Sequence, residues 1–222
     1  MSRLEIEILP DATDVAKRGA EYVVEQARAA VDDRGRFTFA VSGGRTPATM
    51  FVTLAGEDMP WDDTAIYQVD ERVAPTGDPD RNLTHLLASL PPASEAEIHA
   101  MQVEADDLEA AAFDYARSLP DAFDLVHLGL GRDGHTASLV PGDPVLEITD
   151  REVGVTGLYQ RRRRMTLTYP ALNRARRRLW LVTGEDKVDA LRLLRAGDET
   201  IPAARISTEN ALVIADAAAA GH

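Results

Sequence analysis

Short apolar runs rich in β-branched and aromatic residues alternate with longer stretches of helical periodicity along most of the chain. The strand-like runs are LEIEIL, RFTFAVSGG, TAIYQVDER, FDLVHLGLG, RMTLTY, RRLWLVTG and ALVIADA. Between them, segments such as TPATMFVTLAG and DKVDALRLLRAG have apolar residues at helical spacing. This alternation predicts an α/β fold with a mostly parallel sheet, and residues 1–222 are expected to form a single domain.

The composition excludes several classes of protein. The chain has no cysteine, which rules out disulfides and thiolate metal sites, and we expect no metal site of another kind. No apolar run reaches the ~20 residues of a membrane-spanning helix, and the N-terminus lacks a signal-peptide core. We therefore expect a cytoplasmic protein without membrane contact. The formal net charge of −13 argues against a nucleic-acid partner, and both a monomer and a homodimer are compatible with the sequence.

Positive charge is concentrated in two segments, RRRR at residues 161–164 and RARRR at residues 174–178. Most of these arginines are expected on a solvated surface. The alternative is that one or two of them face a small anionic ligand.

A glycine turn follows the strand-like run RFTFAV. The segment from Ser42 to Pro47 reads SGGRTP, in which the two glycines permit a tight turn before a helix. Thr46 can cap that helix, and Pro47 suits its first position. The exposed N–H groups of such a helix start bind phosphate or carboxylate, and Arg45 can add a donor. The alternative is a tight turn and a capped helix with no ligand.

Charged residues lie at the ends or starts of three other elements. Asp70, Glu71 and Arg72 end the run TAIYQVDER, where they can orient sugar hydroxyls, take part in acid–base chemistry, or form a solvated turn. Arg164 begins RMTLTY, and Lys187 lies in the helix start after RRLWLVTG. Each of these two is a candidate ligand contact or a simple surface charge. Ligands of α/β folds bind beyond the carboxyl ends of the strands, so these residues are candidates for one site.

The segment GLGRDG follows a predicted strand and has the G-x-G-x-x-G spacing of a dinucleotide-binding turn over residues 129–134. A long helix should follow such a turn. Here Pro141 and Gly142 stop any helix within two turns. We therefore reject a nucleotide site and expect no cofactor.

Two histidines near this segment have different settings. His135 lies on a constrained loop close to Asp133, and histidine is the side chain best suited to move protons near neutral pH. His127 lies inside the apolar run FDLVHL and is expected to be a core or sheet-face residue.

Six segments together resemble one enzyme family. They are SGGRTP, VDERVAP, GLGRDGHTASLVPG, RMTLTYPALN, VTGEDKVDAL and IPAARI, in the family's order, from about Phe37 to near the end of the chain. The sequence resembles the 6-phosphogluconolactonases, within the wider glucosamine-6-phosphate isomerase/deaminase group. Val140 is a departure, since the family more often has phenylalanine there, and the position is expected to serve packing.

The resemblance implies an activity and a fold. The activity is hydrolysis of a small sugar-phosphate lactone, 6-phospho-D-glucono-1,5-lactone, to 6-phosphogluconate in the oxidative pentose phosphate pathway, without a nucleotide. The fold is a modified doubly wound α/β type (NagB/RpiA-like) with a mostly parallel sheet flanked by helices.

The resemblance also implies roles for particular residues. Those implied in catalysis are His135, as the base that activates water, Asp133 and Arg72. Those implied in binding the substrate and its phosphate are Ser42, Gly43, Gly44, Arg45, Thr46, Asp70, Arg164 and Lys187. Arg72 is expected near the lactone or the phosphate. Two roles are open for Asp133, which can orient His135 or bind a sugar hydroxyl.

Two alternatives stand against this interpretation. A glucosamine-6-phosphate deaminase typically continues after the histidine with IAFNEP, whereas this chain has TASLVP, and Glu147 lies beyond the proline. A deaminase also has a phosphate segment like TGSTP, whereas this chain has SGGRTP. A sugar-phosphate sensor of a transcriptional regulator needs a DNA-binding segment before the domain, and here the first strand is expected almost at Met1. Both comparisons favour a lactonase.

Overall fold

The computed structural model of the protein describes residues 4–89 and 96–222, apart from the side chain of Arg45, so the anion contact expected of that side chain lies outside the described part. In chain order, the strands are β1 (Glu5–Leu9), β2 (Phe37–Val41), β3 (Thr64–Gln68), β4 (Asp70–Arg72), β5 (Glu97–His99), β6 (Leu125–Leu128), β7 (Val153–Val155), β8 (Arg164–Leu167), β9 (Arg177–Val182) and β10 (Ala211–Asp216). The α-helices are α1 (Ala12–Arg34), α2 (Arg45–Leu54), α3 (Asn82–Ser89), α4 (Leu108–Arg117), α5 (Tyr169–Asn173), α6 (Val188–Ala196) and α7 (Ala217–Ala220).

Seven of these strands form one sheet in the order β1-β10-β9-β6-β2-β3-β5. Every pair of neighbours in this sheet runs parallel. The predicted α/β fold with a mostly parallel sheet is therefore confirmed. Because the strands run in one direction, their carboxyl ends meet at a single edge.

Helices cover both faces of this sheet, and strand β9 shows how. Leu179 and Leu181 pack into a buried cluster with side chains of α1 and α2. Trp180 and Val182, which alternate with them, pack into a second cluster with side chains of α4 and α6. Successive residues of a strand point to opposite faces, so a strand buried on both faces reads as a continuous apolar run.

The run TAIYQVDER forms two strands that belong to different sheets. Strand β3 stays in the parallel sheet, whereas β4 pairs antiparallel with β8 in a small sheet of order β4-β8-β7. Val69 stands between the two strands, where its N–H donates to the carbonyl of Val41 at 2.9 Å. Its own carbonyl accepts from the N–H of Leu167 at 2.8 Å. One residue thus connects the two sheets.

Helix α1 shows how local sequence sets the helix bounds. The carboxylate of Asp11 accepts from the N–H groups of Thr13 and Asp14 at 2.8 and 3.0 Å, which satisfies two donors of the first turn. The helix ends at Arg34, and Gly35 caps it with a left-handed φ of 72°. No helix within the described ranges is long and apolar enough to cross a membrane.

His127 is a buried histidine in strand β6, as its apolar surroundings in the sequence predict. Its side chain is 0% exposed, and neither ring nitrogen has a hydrogen-bond partner among residues 4–89 and 96–222. Burial disfavours the charged imidazolium and lowers the pKa of His127 to about 3. The folded protein therefore holds this side chain in its neutral form.

We expect His127 to destabilise the fold in acid. The unfolded chain binds a proton at His127 near its ordinary pKa of 6.5, whereas the folded state binds it only near 3. Between these values the free energy of unfolding should decrease as the pH is lowered, with a slope from this residue approaching about 1.4 kcal/mol per pH unit. His127→Leu should flatten that slope in urea unfolding measured from pH 4.5 to 7.5. The exposed His85 of α3 offers a control, and equal slopes for His127→Leu, His85→Gln and the parent chain would contradict the assignment.

Candidate active site

A cavity of about 520 Å³ opens at the carboxyl edge of the parallel sheet. It lies beside the residues that follow β2, β6 and β9, namely Ser42, Gly129 and Thr183. Nine of the residues expected at the site line this cavity, and they are Ser42, Gly43, Gly44, Thr46, Asp70, Arg72, His135, Arg164 and Lys187. The fold thus brings together residues that are far apart in the sequence.

The glycine turn presents an uncapped helix start to the cavity. Helix α2 begins at Arg45, after Gly44, and no side chain caps its first turn. The predicted capping by Thr46 is wrong, because the helix starts at Arg45, two residues before the expected Pro47, and the Thr46 hydroxyl instead lies 2.7 Å from the hydroxyl of Thr183. The buried hydroxyl of Ser42 has no partner within the described residues. Free N–H groups and this hydroxyl form an anion-binding corner.

Strand β4 divides its charged residues between two environments. Asp70 and Arg72 line the cavity, but Glu71 does not. Glu71 is fully buried, and its carboxylate accepts from the N–H groups of Asn82 and Leu83, each at 2.8 Å. The interpretation that the whole Asp-Glu-Arg segment lines the pocket is therefore wrong for Glu71. Alternate residues of a strand face opposite sides, so Glu71 faces away from the cavity. Its hydrogen bonds instead anchor the start of α3.

A buried polar network forms one wall of the cavity. The hydroxyl of Ser138 donates to the carboxylate of Asp70 at 2.6 Å, and the guanidinium of Arg164 donates to that hydroxyl at 3.3 Å. Burial raises the pKa of Asp70, and the hydrogen bond from Ser138 acts against this rise. Burial likewise lowers the pKa of Arg164, and the nearby charge of Asp70 acts against that shift. The network thus holds Asp70 and Arg164 together below the surface.

Among residues 4–89 and 96–222, the guanidinium groups of Arg72 and Arg164 have only uncharged acceptors. Arg72 donates to the carbonyl of Asp80 at 2.6 Å and to the amide oxygen of Asn82 at 3.1 Å. Arg164 donates to Ser138 and to the amide oxygen of Gln160 at 3.2 Å. Within the described residues, neither positive charge is neutralised by an ion pair. Both remain available to an anionic ligand.

The arginine-rich segments divide between surface, cavity and core. Arg164 is the member of RRRR that lines the cavity, so it is the arginine of this segment that is placed to face a ligand. Arg178 is also buried, which differs from the expected solvated position. Its guanidinium donates to the carbonyls of Leu172 and Glu209 at 3.1 and 2.9 Å, and it also contacts the carbonyl of Asn173. Arg178 therefore satisfies carbonyl groups at the end of α5 and in the segment before β10.

The loop after β6 holds His135 and Asp133 in contact. The Nδ1 atom of His135 lies 2.5 Å from the carboxylate of Asp133, and this hydrogen bond is the main reason that the pKa of Asp133 lies well below its usual range. A carboxylate that stays ionised only accepts, so Nδ1 carries the proton and Nε2 is free to take one. His135 lines the cavity, whereas Asp133 lies behind it.

The contact between His135 and Asp133 needs the space that the missing side chain of Gly131 leaves. A Cβ at Gly131 would lie 2.0 Å from Nδ1 of His135 and 2.7 Å from the carboxylate of Asp133. No α-helix follows the loop, since the next helical segment is a short 3₁₀ turn at Pro144–Glu147. This agrees with the rejection of a nucleotide turn. Val140 is buried in the same loop, as expected for a packing position.

Lys187 lies at the end of a 3₁₀ turn, Glu185–Lys187, just before α6. Its ammonium group pairs with the carboxylate of Asp186 at 3.0 Å, and both residues line the cavity. The contact between Thr46 and Thr183 brings this turn beside the start of α2. Lys187 therefore lies in the same part of the cavity as the glycine turn.

Sequence reasoning missed Asn82, which lines the cavity from the start of α3. Its amide nitrogen donates to the backbone carbonyl and the carboxylate of Asp70, at 2.9 and 3.1 Å. A Cβ at Gly43 would lie 2.1 Å from the amide oxygen of Asn82, so Gly43 is needed for this close approach. Asn82 follows a loop and no strand, so the search at strand ends could not find it.

Thr183 and Asp186 were also missed, although both lie between the end of β9 and Lys187. Their position at a strand end is the signal that could have found them. No group of three or more His, Asp or Glu side chains in the part of the chain that the structure describes is placed to share a metal ion.

Comparisons with known proteins give one consistent family. The profile described as Glucosamine-6-phosphate isomerases/6-phosphogluconolactonase matches residues 10–214. A 6-phosphogluconolactonase of Synechocystis sp. is 36% identical over 200 residues, covering 84% of this chain and 83% of the relative. The crystal structure of a 6-phosphogluconolactonase from Shewanella baltica superposes with a TM-score of 0.87 at 27% identity, covering 97% of this chain and 99% of that one.

A solved structure with a different activity is almost as similar in fold. A monomeric glucosamine-6-phosphate deaminase superposes with a TM-score of 0.83 at 20% identity, covering 98% of this chain and 99% of that one. The fold alone therefore does not separate the two activities.

We expect Gly131→Ala to break the contact between His135 and Asp133. The new Cβ would force the imidazole away, and the far-downfield proton resonance expected of the short Nδ1–H hydrogen bond should disappear. The free energy of unfolding should fall by about 1 kcal/mol. Gly129→Ala is the matched control, because a Cβ there would have no heavy atom within 4 Å. A resonance that survives in Gly131→Ala would refute the proposed close approach.

Proposed function

The chain belongs to the family of glucosamine-6-phosphate isomerases and 6-phosphogluconolactonases, and we propose that it hydrolyses 6-phospho-D-glucono-1,5-lactone to 6-phosphogluconate in the oxidative pentose phosphate pathway. The observation that carries this proposal is the His135–Asp133 pair at a cavity with two arginines that have no ion pair among the described residues. Relatives named 6-phosphogluconolactonase support the choice of substrate. We further propose that residues 1–222 act as one lactonase domain.

The charge of the cavity suits an anionic substrate. Among the described side chains, three cationic ones line it, those of Arg72, Arg164 and Lys187, together with the two carboxylates of Asp70 and Asp186. The whole chain, in contrast, has a formal net charge of −13. A locally cationic cavity in an acidic protein attracts a sugar phosphate to one place and keeps it from binding elsewhere.

The position of Glu147 favours a lactonase over a deaminase. Glu147 is the first glutamate after His135. It does not line the cavity, and its side chain instead lies 3.7 Å from the guanidinium of Arg205. The carboxylate that a deaminase has a few residues after the histidine thus has no counterpart here in the loop that follows His135.

The phosphate binds at the start of α2 in this proposal. The free N–H groups of the glycine turn and the hydroxyls of Ser42 and Thr46 donate to its oxygens. Lys187 and Arg164 supply positive charge from either side. Binding energy from this remote group holds the lactone carbonyl in place for attack.

The hydrolysis requires one base and one stabilised oxyanion. Nε2 of His135 takes a proton from water as the water oxygen attacks the lactone carbonyl carbon, and Asp133 stabilises the imidazolium that forms. Arg72 stabilises the carbonyl oxygen as it becomes an oxyanion. When the intermediate collapses, the bond between that carbon and the ring oxygen breaks. The imidazolium then returns its proton to the ring oxygen.

A substrate comparison tests the proposed function. Freshly generated 6-phosphogluconolactone and glucosamine 6-phosphate are supplied separately, and acid release is followed for the first and ammonia for the second. The lactone decays without enzyme, so the uncatalysed rate is subtracted. We expect enzyme-dependent acid release and no ammonia. Ammonia release without lactone hydrolysis would overturn the proposal in favour of a deaminase.

His135→Ala should lower kcat/KM for the lactone by roughly 10²- to 10⁴-fold, the usual contribution of a general base. Affinity for 6-phosphogluconate, measured by calorimetry, should change by less than about threefold, because the base and the phosphate anchor are separate. Unchanged turnover in this variant would remove His135 from the mechanism.

Lys187→Met should raise KM roughly 10-fold or more, as expected for a lost charge-assisted contact, with little effect on kcat. The chain has a second lysine, Lys17, which is exposed on α1 and does not line the cavity. Lys17→Met therefore serves as the matched control and should leave both constants unchanged. If Lys187→Met lowers kcat alone, Lys187 acts on the oxyanion and not on the phosphate.

A further inference from the structure

We propose that Tyr159 is a positioning residue that holds the His135–Asp133 pair in a set geometry relative to Arg164. This inference rests on the proposed lactonase function, and it assigns to Tyr159 a role that its sequence context does not indicate. Tyr159 does not line the cavity itself. It acts through the residues that do.

Tyr159 contacts the His135–Asp133 pair and Arg164 at the same time. Its hydroxyl donates to the second carboxylate oxygen of Asp133 at 3.0 Å. Its ring meets the imidazole of His135 edge to face, with 5.5 Å between centroids. The guanidinium carbon of Arg164 lies over the same ring, 5.0 Å from its centroid. One side chain therefore touches the base, the residue that orients the base, and the buried cation.

The two oxygens of the Asp133 carboxylate have different donors. One oxygen accepts from Nδ1 of His135, and the other accepts from the Tyr159 hydroxyl. A carboxylate held at both oxygens cannot rotate without losing a hydrogen bond, so the imidazole plane is held too. Burial raises the pKa of Tyr159, and the bond to Asp133 adds to the rise, so the hydroxyl remains a donor at neutral pH.

The backbone that carries Tyr159 is strained. Tyr159 and Arg162 pair through two backbone hydrogen bonds of 3.0 and 3.2 Å, which closes a turn with two central residues. Those residues, Gln160 and Arg161, have φ values of 48° and 71°, a region that glycine or asparagine adopts far more readily. Strain of this kind persists only where surrounding contacts maintain it, and it concentrates at functional sites.

Side chains of the same turn hold it against the site. Gln160 accepts from Arg164 at 3.2 Å. Arg162 pairs with the carboxylates of Asp78 and Asp80 at 3.1 and 3.0 Å. The turn is thus tied both to the cavity wall and to the loop before α3. These contacts fix the position of the Tyr159 side chain between Asp133 and Arg164.

In the proposed mechanism Arg164 binds the phosphate end of the substrate and His135 acts at the carbonyl end. Tyr159 links the two, so it sets the distance between the anchor and the base. This distance matters for catalysis, because a small displacement of the base from the carbonyl carbon lowers the rate strongly. The charged groups around the His135–Asp133 pair are Arg72, Arg132, Arg164, Asp70, Asp186 and Lys187.

Two substitutions separate the contributions of the hydroxyl and the ring. Tyr159→Phe removes only the donor to Asp133, and we expect kcat to fall roughly 10-fold while KM stays within about twofold. The acid limb of the kcat/KM profile should move to higher pH, because a carboxylate with one donor fewer holds the protonated imidazole more strongly. Tyr159→Leu also removes the ring under Arg164, so KM should rise roughly fivefold in addition.

Tyr22→Phe is the matched control. Tyr22 also has an arginine, Arg18, over its ring at 5.7 Å, and it hydrogen-bonds to Arg177, but it lies in α1 away from the cavity. This variant should keep the kinetics and the pH profile of the parent chain. Urea unfolding of all variants accounts for any loss of folded protein, which would lower apparent kcat without moving the pH profile.

A readout that does not depend on turnover separates this inference from the proposed function. The downfield proton resonance of the His135–Asp133 hydrogen bond should shift or broaden in Tyr159→Phe and remain in Tyr22→Phe. A parent chain that fails to hydrolyse the lactone overturns the proposed function, while the resonance still tests Tyr159. A Tyr159→Phe variant with parental kcat, pH profile and resonance overturns the role of Tyr159.

Discussion

The backbone of Val69 joins the two sheets, and the placement of the whole site depends on this junction. Its N–H continues the ladder with Val41 of β2, and its carbonyl begins the contact with Leu167 of β8. The chain therefore leaves the parallel sheet at its carboxyl edge and turns across that edge as β4. This turn brings Asp70 and Arg72 over the cavity and pairs Arg72 with Arg164 across the small sheet. Without the junction the charged residues would continue along the parallel sheet.

The buried polar groups near this junction follow from the same constraint. Asp70 and Arg164 are both almost fully buried, and burial of unpaired charge is expensive. The hydroxyl of Ser138 connects them, and Asn82 satisfies a second oxygen of Asp70. Arg164 retains a buried Nε without a partner among the described residues, so the network is not closed on itself. A binding site differs from a core in this respect, because part of its polar capacity is left for a ligand.

Much of the fold and part of the site could be predicted from residue pattern. The alternation of apolar runs and helical segments is local, so the α/β class was confirmed, and the segment ends together with the family motifs identified nine of the residues that line the cavity. Glu71 shows the limit, because its position next to Asp70 and Arg72 gave no indication of which face each would occupy. Tyr159 shows a second limit, since its neighbours in space come from two distant segments.

The sequence by itself determined most of the elements, the parallel sheet and the loop that carries His135, because hydrophobic periodicity, glycine turns and helix breakers act over a few residues. Only the tertiary structure decided that TAIYQVDER divides between two sheets, that Thr46 contacts Thr183 instead of capping its helix, and that Asn82 enters the cavity. These features depend on contacts between segments that are distant along the chain. Their geometry depends on how the two sheets pack against each other, and the local sequence pattern of one segment does not determine that packing.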